Sequence, residues 1–84
     1  MSMEQSVQTL TDRVLDIVHT KFGAPADITA ATAYEEMEFD SLVLVELAVH
    51  LSELFGVDIT DEEILQAGNV EETVELLARK GVQG

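Results

Sequence analysis

Asp40 and Ser41 stand where a polar stretch meets a long apolar run, Leu42 to Phe55. This arrangement predicts that Ser41 lies at or beside the N-cap of a helix, where its hydroxyl can accept a hydrogen bond from a free backbone N–H. A phosphate ester on the same hydroxyl would place its negative charge at the positive end of the helix macrodipole. Asp40 can act as an ordinary N-cap, or its carboxylate can help a modifying enzyme to hold a divalent cation. The residue types alone leave capping and covalent modification both open.

Histidine is the commonest base for a serine nucleophile, and the chain contains two, His19 and His50. His50 follows Ser41 on the same predicted helix and lies about 13 Å along its axis, which is too far for a hydrogen bond. His19 belongs to another predicted helix and could approach Ser41 only through tertiary packing. We therefore expect a protein without catalytic activity.

The charge balance is strongly acidic, because 17 Asp and Glu stand against 4 Lys and Arg, for a net charge of -13 in 84 residues. Such a surface repels nucleic-acid backbones and anionic lipid, and it favours basic protein partners. The hydrophobic fraction of 46% is sufficient for one folded core. The chain has no cysteine, no basic and apolar opening segment and no apolar run of transmembrane length. A soluble cytoplasmic protein is the simplest expectation.

Hydrophobic periodicity predicts a first helix from Gln5 to Phe22 and a central, very apolar helix from Ser41 to Phe55. Gly23 to Asp40 has no sustained period, which indicates a long ordered loop between the two helices. Four apolar residues are expected to anchor this loop: Ile28, Tyr34, Met37 and Phe39.

A capping box of Thr60 and Glu63 predicts a short third helix from about Asp61 to Ala67, and Asn69 can cap a last helix. The sequence therefore predicts an all-α four-helix bundle, a single domain over residues 4–81, with a short third helix and a long first loop. Its core is expected to combine one apolar stripe from each long helix with one residue after the second: Val14, Ile17, Val18, Val45, Leu47, Leu51, Phe55, Ile59, Val74 and Leu77.

Motifs from the end of the long loop onward resemble the acyl carrier protein family. They are Phe39-Asp40-Ser41-Leu42, Val45-Glu46-Leu47, Phe55-Gly56-Val57 and Ile59-Thr60-Asp61-Glu62-Glu63. The Asp-Ser-Leu tripeptide is common, but its combination with the other three motifs is specific. The resemblance implies that Ser41 accepts 4'-phosphopantetheine from coenzyme A, with Asp40 and Leu42 beside it. The absence of cysteine then has an explanation, because the reactive thiol belongs to the prosthetic group.

The resemblance also implies which partners the chain meets: a phosphopantetheinyl transferase, then ketosynthases, acyltransferases and other acyl-processing enzymes with basic docking patches. The carrier itself is expected to be a monomer that binds neither nucleic acid nor membrane. The docking face is expected to combine an apolar centre of Leu42, Val43 and Val49 with five acids: Glu46, Glu53, Asp61, Glu62 and Glu63.

Some positions depart from the commoner family pattern. Glu38 stands where glycine is frequent, and Val43 stands where carriers of fatty acid synthesis often have an acid. Phe39 before Asp-Ser-Leu is familiar in polyketide-type carriers, so a discrete polyketide-type carrier is favoured over a fatty acid carrier. A peptidyl carrier of non-ribosomal peptide synthesis and an unmodified acidic helical adaptor remain the alternatives.

Overall fold

The computed structural model describes the backbone of residues 4–82 and the side chains of residues 10–82. It contains four helices, α1 (Glu4–Thr20), α2 (Ser41–Phe55), α3 (Asp61–Ala67) and α4 (Val70–Arg79). Helix α1 packs on α4, and α3 packs on both α2 and α4. The expected all-α bundle with a short third helix and a long first loop is confirmed. Within the described residues, no helix is long and apolar enough to span a membrane.

The core is built from the inward stripe of each helix, from three residues of the first loop and from Ile59 in the second. Helix α2 contributes Leu44, Leu47, Ala48 and Leu51, whose spacing of three and four places them on one side of the helix. The loop residues Tyr34, Met37 and Phe39 are buried as expected, and Ile28 is half-buried against the core. Other buried residues are Leu10, Val14, Ile17, Val18, Ile59, Ile64, Val70, Val74 and Leu77.

The assignment of Val45 to the core was wrong, because 39% of this residue is exposed. Val45 and Leu47 are separated by about 200° around a helix, so they cannot share its inner face. Leu44 takes the inward position instead. Phe55 is half-buried rather than buried, and the guanidinium of Arg13 lies 4.9 Å from its ring centre.

Side-chain caps fix the starts of the last two helices, as the sequence predicted. Thr60 and Glu63 form the reciprocal capping box of α3, and Asn69 accepts a hydrogen bond from the Glu72 amide at the start of α4. Helix α2 ends at Gly56, whose φ of 67° is costly for a residue with a side chain. Helix α1 ends at Thr20, two residues before the predicted end at Phe22.

Truncation of the α2 inner face tests this assignment of faces. We expect Leu47→Ala to lower the free energy of unfolding by about 2–5 kcal/mol, because it leaves a cavity in a fully buried site. Val45→Ala on the outer face is the matched control and should cost less than about 1 kcal/mol. Urea denaturation monitored by circular dichroism gives both values, and equal costs would show that the two faces are assigned wrongly.

Candidate functional site

Helix α2 begins at Ser41 because Asp40 caps it. Asp40 has an extended backbone, and its Oδ1 accepts a hydrogen bond from the Val43 amide at 3.0 Å. Its carbonyl accepts the first helical hydrogen bond from the Leu44 amide, also at 3.0 Å. Asp40 therefore has the ordinary N-cap role considered from the sequence, and Ser41 lies beside the cap as the first helical residue.

The Ser41 hydroxyl is free for chemistry. Ser41 is exposed, and its side chain makes no hydrogen bond to any residue within 4–82. The first amides of a helix have no intrahelical partner, and here Asp40 satisfies only that of Val43. Within the described chain, the amides of Ser41 and Leu42 therefore have no acceptor and remain unused donors at the positive end of α2. An anionic group attached to the hydroxyl meets favourable electrostatics at this point.

The turn before the cap is strained. Glu38 has a φ of 62°, in the left-handed region, which costs a residue with a side chain about 1–2 kcal/mol. Glycine adopts this conformation freely, which gives a physical reason for the glycine that the resemblance leads one to expect at this position. The amides of Met37 and Phe39 both donate to the Tyr34 carbonyl, at 3.0 and 3.2 Å. These hydrogen bonds hold the turn closed around Glu38.

The outer face of α2 carries an apolar stripe. Leu42 is 66% exposed, Val45 39% and Val49 52%, and their spacing of three and four places them in line along the helix. Leu42 and Val49 lie where the sequence analysis expected them. Val45 joins them, although the sequence analysis had assigned it to the core. Val43 is half-buried and packs against the core, so it presents less surface than expected.

Acidic side chains flank the stripe and continue onto α3. Glu46 and Glu53 are exposed on α2, and Asp61 and Glu62 are exposed in the first turn of α3. Glu63 differs from them because its carboxylate accepts a hydrogen bond from the Thr60 amide and pairs with Lys80 at 3.1 Å. The Thr60 hydrogen bond and the Lys80 contact lower the pKa of Glu63. The Glu63 carboxylate therefore acts mainly as part of the N-terminal cap of α3.

An open groove of about 430 Å³ borders the apolar stripe on the side of α1. One wall comes from the outer face of α2, and the other comes from the chain that leaves α1. The His50 and Phe22 rings meet edge to face across the groove, with their centres 6.2 Å apart. Its lining residues are Lys21, Phe22, Val45, Glu46, Val49, His50 and Glu53.

The division of roles at the start of α2 can be measured. Asp40→Ala should lower the free energy of unfolding by about 0.5–2 kcal/mol, because it removes the cap. Ser41→Ala should change it by less than about 0.5 kcal/mol, since its hydroxyl makes no hydrogen bond within the described residues. The two adjacent substitutions serve as controls for each other in chemical denaturation. A larger loss for Ser41→Ala than for Asp40→Ala would show that Ser41 is the cap.

Comparison with known proteins agrees with this geometry. Residues 12–77 match the phosphopantetheine attachment site family. An acyl carrier protein of Rubrobacter xylanophilus is 34% identical over 70 residues, which cover 81% of this chain and 86% of that protein. An acyl carrier protein of Thermobifida fusca is 27% identical over 92% of this chain and its own whole length. A mitochondrial acyl carrier protein of Dictyostelium discoideum is 32% identical over 88% of this chain and 62% of that protein. The chain belongs to the acyl carrier protein family, whose members carry covalently attached 4'-phosphopantetheine, are not enzymes themselves, and act with a phosphopantetheinyl transferase and acyl-processing enzymes.

Proposed function

We propose that Ser41 is the attachment site of 4'-phosphopantetheine, within a single carrier domain that spans residues 4–81. The observation that supports this most directly is the exposed Ser41 hydroxyl beside two unused amides at the start of α2. In the transfer, Ser41 Oγ gives its proton to a base on the transferase and forms the new bond to phosphorus. The pyrophosphate P–O bond of coenzyme A breaks, and adenosine 3',5'-bisphosphate leaves. The attached group supplies the thiol that holds acyl intermediates as thioesters.

Asp40 and Leu42 are proposed to assist this transfer from either side of Ser41. One carboxylate oxygen of Asp40 holds the cap, and the other is not hydrogen-bonded within residues 10–82. This second oxygen is available to a divalent cation brought by the transferase, because such cations prefer oxygen ligands. Leu42 is two-thirds exposed and offers an apolar contact directly beside the attachment point.

Partner enzymes are proposed to dock on the outer face of α2. Leu42, Val45 and Val49 form the apolar centre, and Val43 contributes a smaller area because it is half-buried. The exposed acids surround this centre, so the matching partner surface is basic at its rim and apolar at its middle. The rim consists of Glu46, Glu53, Asp61 and Glu62, with a lesser share from Glu63. Ketosynthases and acyltransferases with such patches are the proposed partners.

The pathway is proposed to be of the polyketide type. Val43 in place of an acid makes the start of the docking face more apolar, and Phe39 before Asp40 follows the pattern familiar in polyketide carriers. Fatty acid synthesis and non-ribosomal peptide synthesis are the other pathways that use such carriers. The intact mass of the protein purified from its own cells identifies the bound acyl or aminoacyl group and so decides among the three.

Incubation with coenzyme A and a broad-range phosphopantetheinyl transferase tests the attachment site. The parent protein should gain the mass of one phosphopantetheine group, and Ser41→Ala should gain none. Ser52→Ala is the matched control on the same helix, and it should be loaded, because Ser52 bonds to the backbone of Ile59 on the half-buried side. Intact mass spectrometry reads all three. Loading of Ser41→Ala, or no loading of the parent, would contradict the proposal.

The docking face predicts two different responses to salt. Glu46→Lys should slow loading at low salt by at least about threefold, because charges at a rim act mainly on the association rate and are screened beyond about 8–10 Å. Val49→Asn should weaken docking with little change in salt dependence, because it removes only apolar contact. We choose Val49 rather than Val43 because Val43 also packs against the core.

Glu75→Lys on α4 is the control for these loading rates, since it makes the same change in net charge on an exposed helix position away from α2. It should leave the rate within about twofold of the parent. Equal rates for Glu46→Lys and Glu75→Lys at every salt concentration would show that net charge, and not the outer face of α2, governs loading.

A further inference from the structure

The long loop that leads to Ser41 is hydrogen-bonded to the junction of α3 and α4. The Tyr34 amide donates to the Gly68 carbonyl at 2.9 Å, and the Glu71 amide donates to the Ala30 carbonyl at 2.9 Å. Ala33 and Asn69 form an isolated antiparallel bridge between these two contacts. The stretch 30–34 is therefore held against the junction of α3 and α4, before the chain turns toward α2.

Tyr34 adds a buried hydrogen bond to this attachment. Its hydroxyl lies 2.7 Å from Oγ1 of Thr73, and both residues are almost fully buried. The Thr73 hydroxyl donates its own proton to the Asn69 carbonyl at 2.8 Å, so it accepts from Tyr34. Burial raises the pKa of Tyr34 to about 12, so the hydroxyl keeps its proton below that pH and remains a donor. Tyr34 is thus fixed to α4 by its side chain as well as by its backbone neighbours.

Tyr34 also holds the turn that ends at Ser41. Its carbonyl accepts the amides of Met37 and Phe39, and its ring stacks on the Phe39 ring, with centres 6.0 Å apart and planes 7° from parallel. The strained Glu38 lies inside this closed turn. A strained backbone persists only where its surroundings fix it. Here the Glu38 amide donates to the Glu35 carbonyl at 3.1 Å, and the contacts on either side of Glu38 involve Tyr34.

We infer that Tyr34 is a positioning residue for the attachment serine: its hydroxyl on Thr73 and its ring on Phe39 tie the strained turn to α4, so that Asp40 and Ser41 enter α2 in the geometry that the transferase binds. This inference rests on the proposed attachment at Ser41. Without the tie, Glu38 leaves the left-handed region for part of the time, and the Asp40 cap opens with it. Only the closed fraction of the carrier then binds the transferase productively.

Two readouts separate positioning from a loss of general stability. Tyr34→Phe should raise the KM for the carrier in transferase loading about fivefold and leave kcat within about twofold, because a smaller competent fraction weakens apparent binding. It should also speed hydrogen exchange of the Phe39 and Val43 amides at least about tenfold more than that of the buried Leu77 amide. Val14→Ala is the matched core control. Urea is added until its free energy of unfolding equals that of Tyr34→Phe, so that the two variants differ only in where the fold is weakened.

Substitution of the acceptor provides an independent variant. Thr73→Val removes the hydroxyl and keeps the shape, so it should reproduce the KM and exchange changes. Thr73→Ser restores the hydroxyl and should return the KM to within about twofold of the parent. A KM for Tyr34→Phe and Thr73→Val equal to that of Val14→Ala would overturn the inference.

Relief of the strain gives the sharpest test. Glu38→Gly removes the backbone strain, because glycine adopts a positive φ freely. When Tyr34→Phe is added to Glu38→Gly, the resulting increase in KM should be at most half of the increase in the parent. An undiminished effect would show that Tyr34 does not act through the turn. If neither the parent nor the variants gain mass, the proposed function fails. The exchange rates of Phe39 and Val43 still decide whether Tyr34 holds the turn.

Discussion

The hydrogen bond between the Val43 amide and the Asp40 carboxylate fixes where α2 begins, and the rest of the site depends on that register. Because Asp40 is the cap, the Ser41 hydroxyl makes no hydrogen bond within the described residues. The same register turns Leu44 and Leu47 inward and Leu42 and Val45 outward. A shift of one residue would rotate every side chain of α2 by about 100° and would move the inner stripe out of the core. The capping bond therefore sets both the proposed attachment point and the face around it.

The start of α2 differs from the starts of α3 and α4 in the number of acidic residues in its first turn. Helix α3 has Asp61, Glu62 and Glu63 in its first turn, and α4 has Glu71 and Glu72, where the macrodipole favours negative charge. The first turn of α2 contains no acid. Its positive end is balanced only by the Asp40 cap, so it retains the capacity to interact with a further negative charge. Under the proposed function, a phosphodiester on Ser41 meets the unused amides of Ser41 and Leu42 here, and the neighbouring carboxylate of Asp40 is already bonded through one oxygen to the Val43 amide.

The sequence predicted the architecture and the helix ends well, because these depend on local signals. Thr60 with Glu63, and Asn69, act as their positions indicated. Val45 was assigned wrongly because α2 is apolar on both faces, so periodicity alone could not distinguish the inner from the outer stripe. Counting 100° per residue from Leu47 and Leu51 would have placed Val45 outside.

Other features of the site could not be predicted from local pattern. The Tyr34 to Thr73 hydrogen bond joins residues 39 positions apart, and neither residue type predicts that the two will pair. The positive φ of Glu38 is equally hard to predict, because glutamate rarely adopts it and the turn around it is closed by hydrogen bonds to the Tyr34 and Glu35 carbonyls. The departure from glycine at this position was visible in the sequence. Its structural meaning depends on backbone contacts that only the folded chain forms.

The two-sided apolarity of α2 is itself informative. A helix that only supported the core would gain nothing from Leu42, Val45 and Val49 on its outer face, where apolar side chains stay in contact with water. Under the proposed function, these residues are covered each time a partner docks. One helical stripe is far smaller than the interfaces of permanent complexes, so it favours brief binding. The surrounding acids then raise the association rate more than the affinity. A carrier that must leave each enzyme for the next requires this combination of fast association and weak retention.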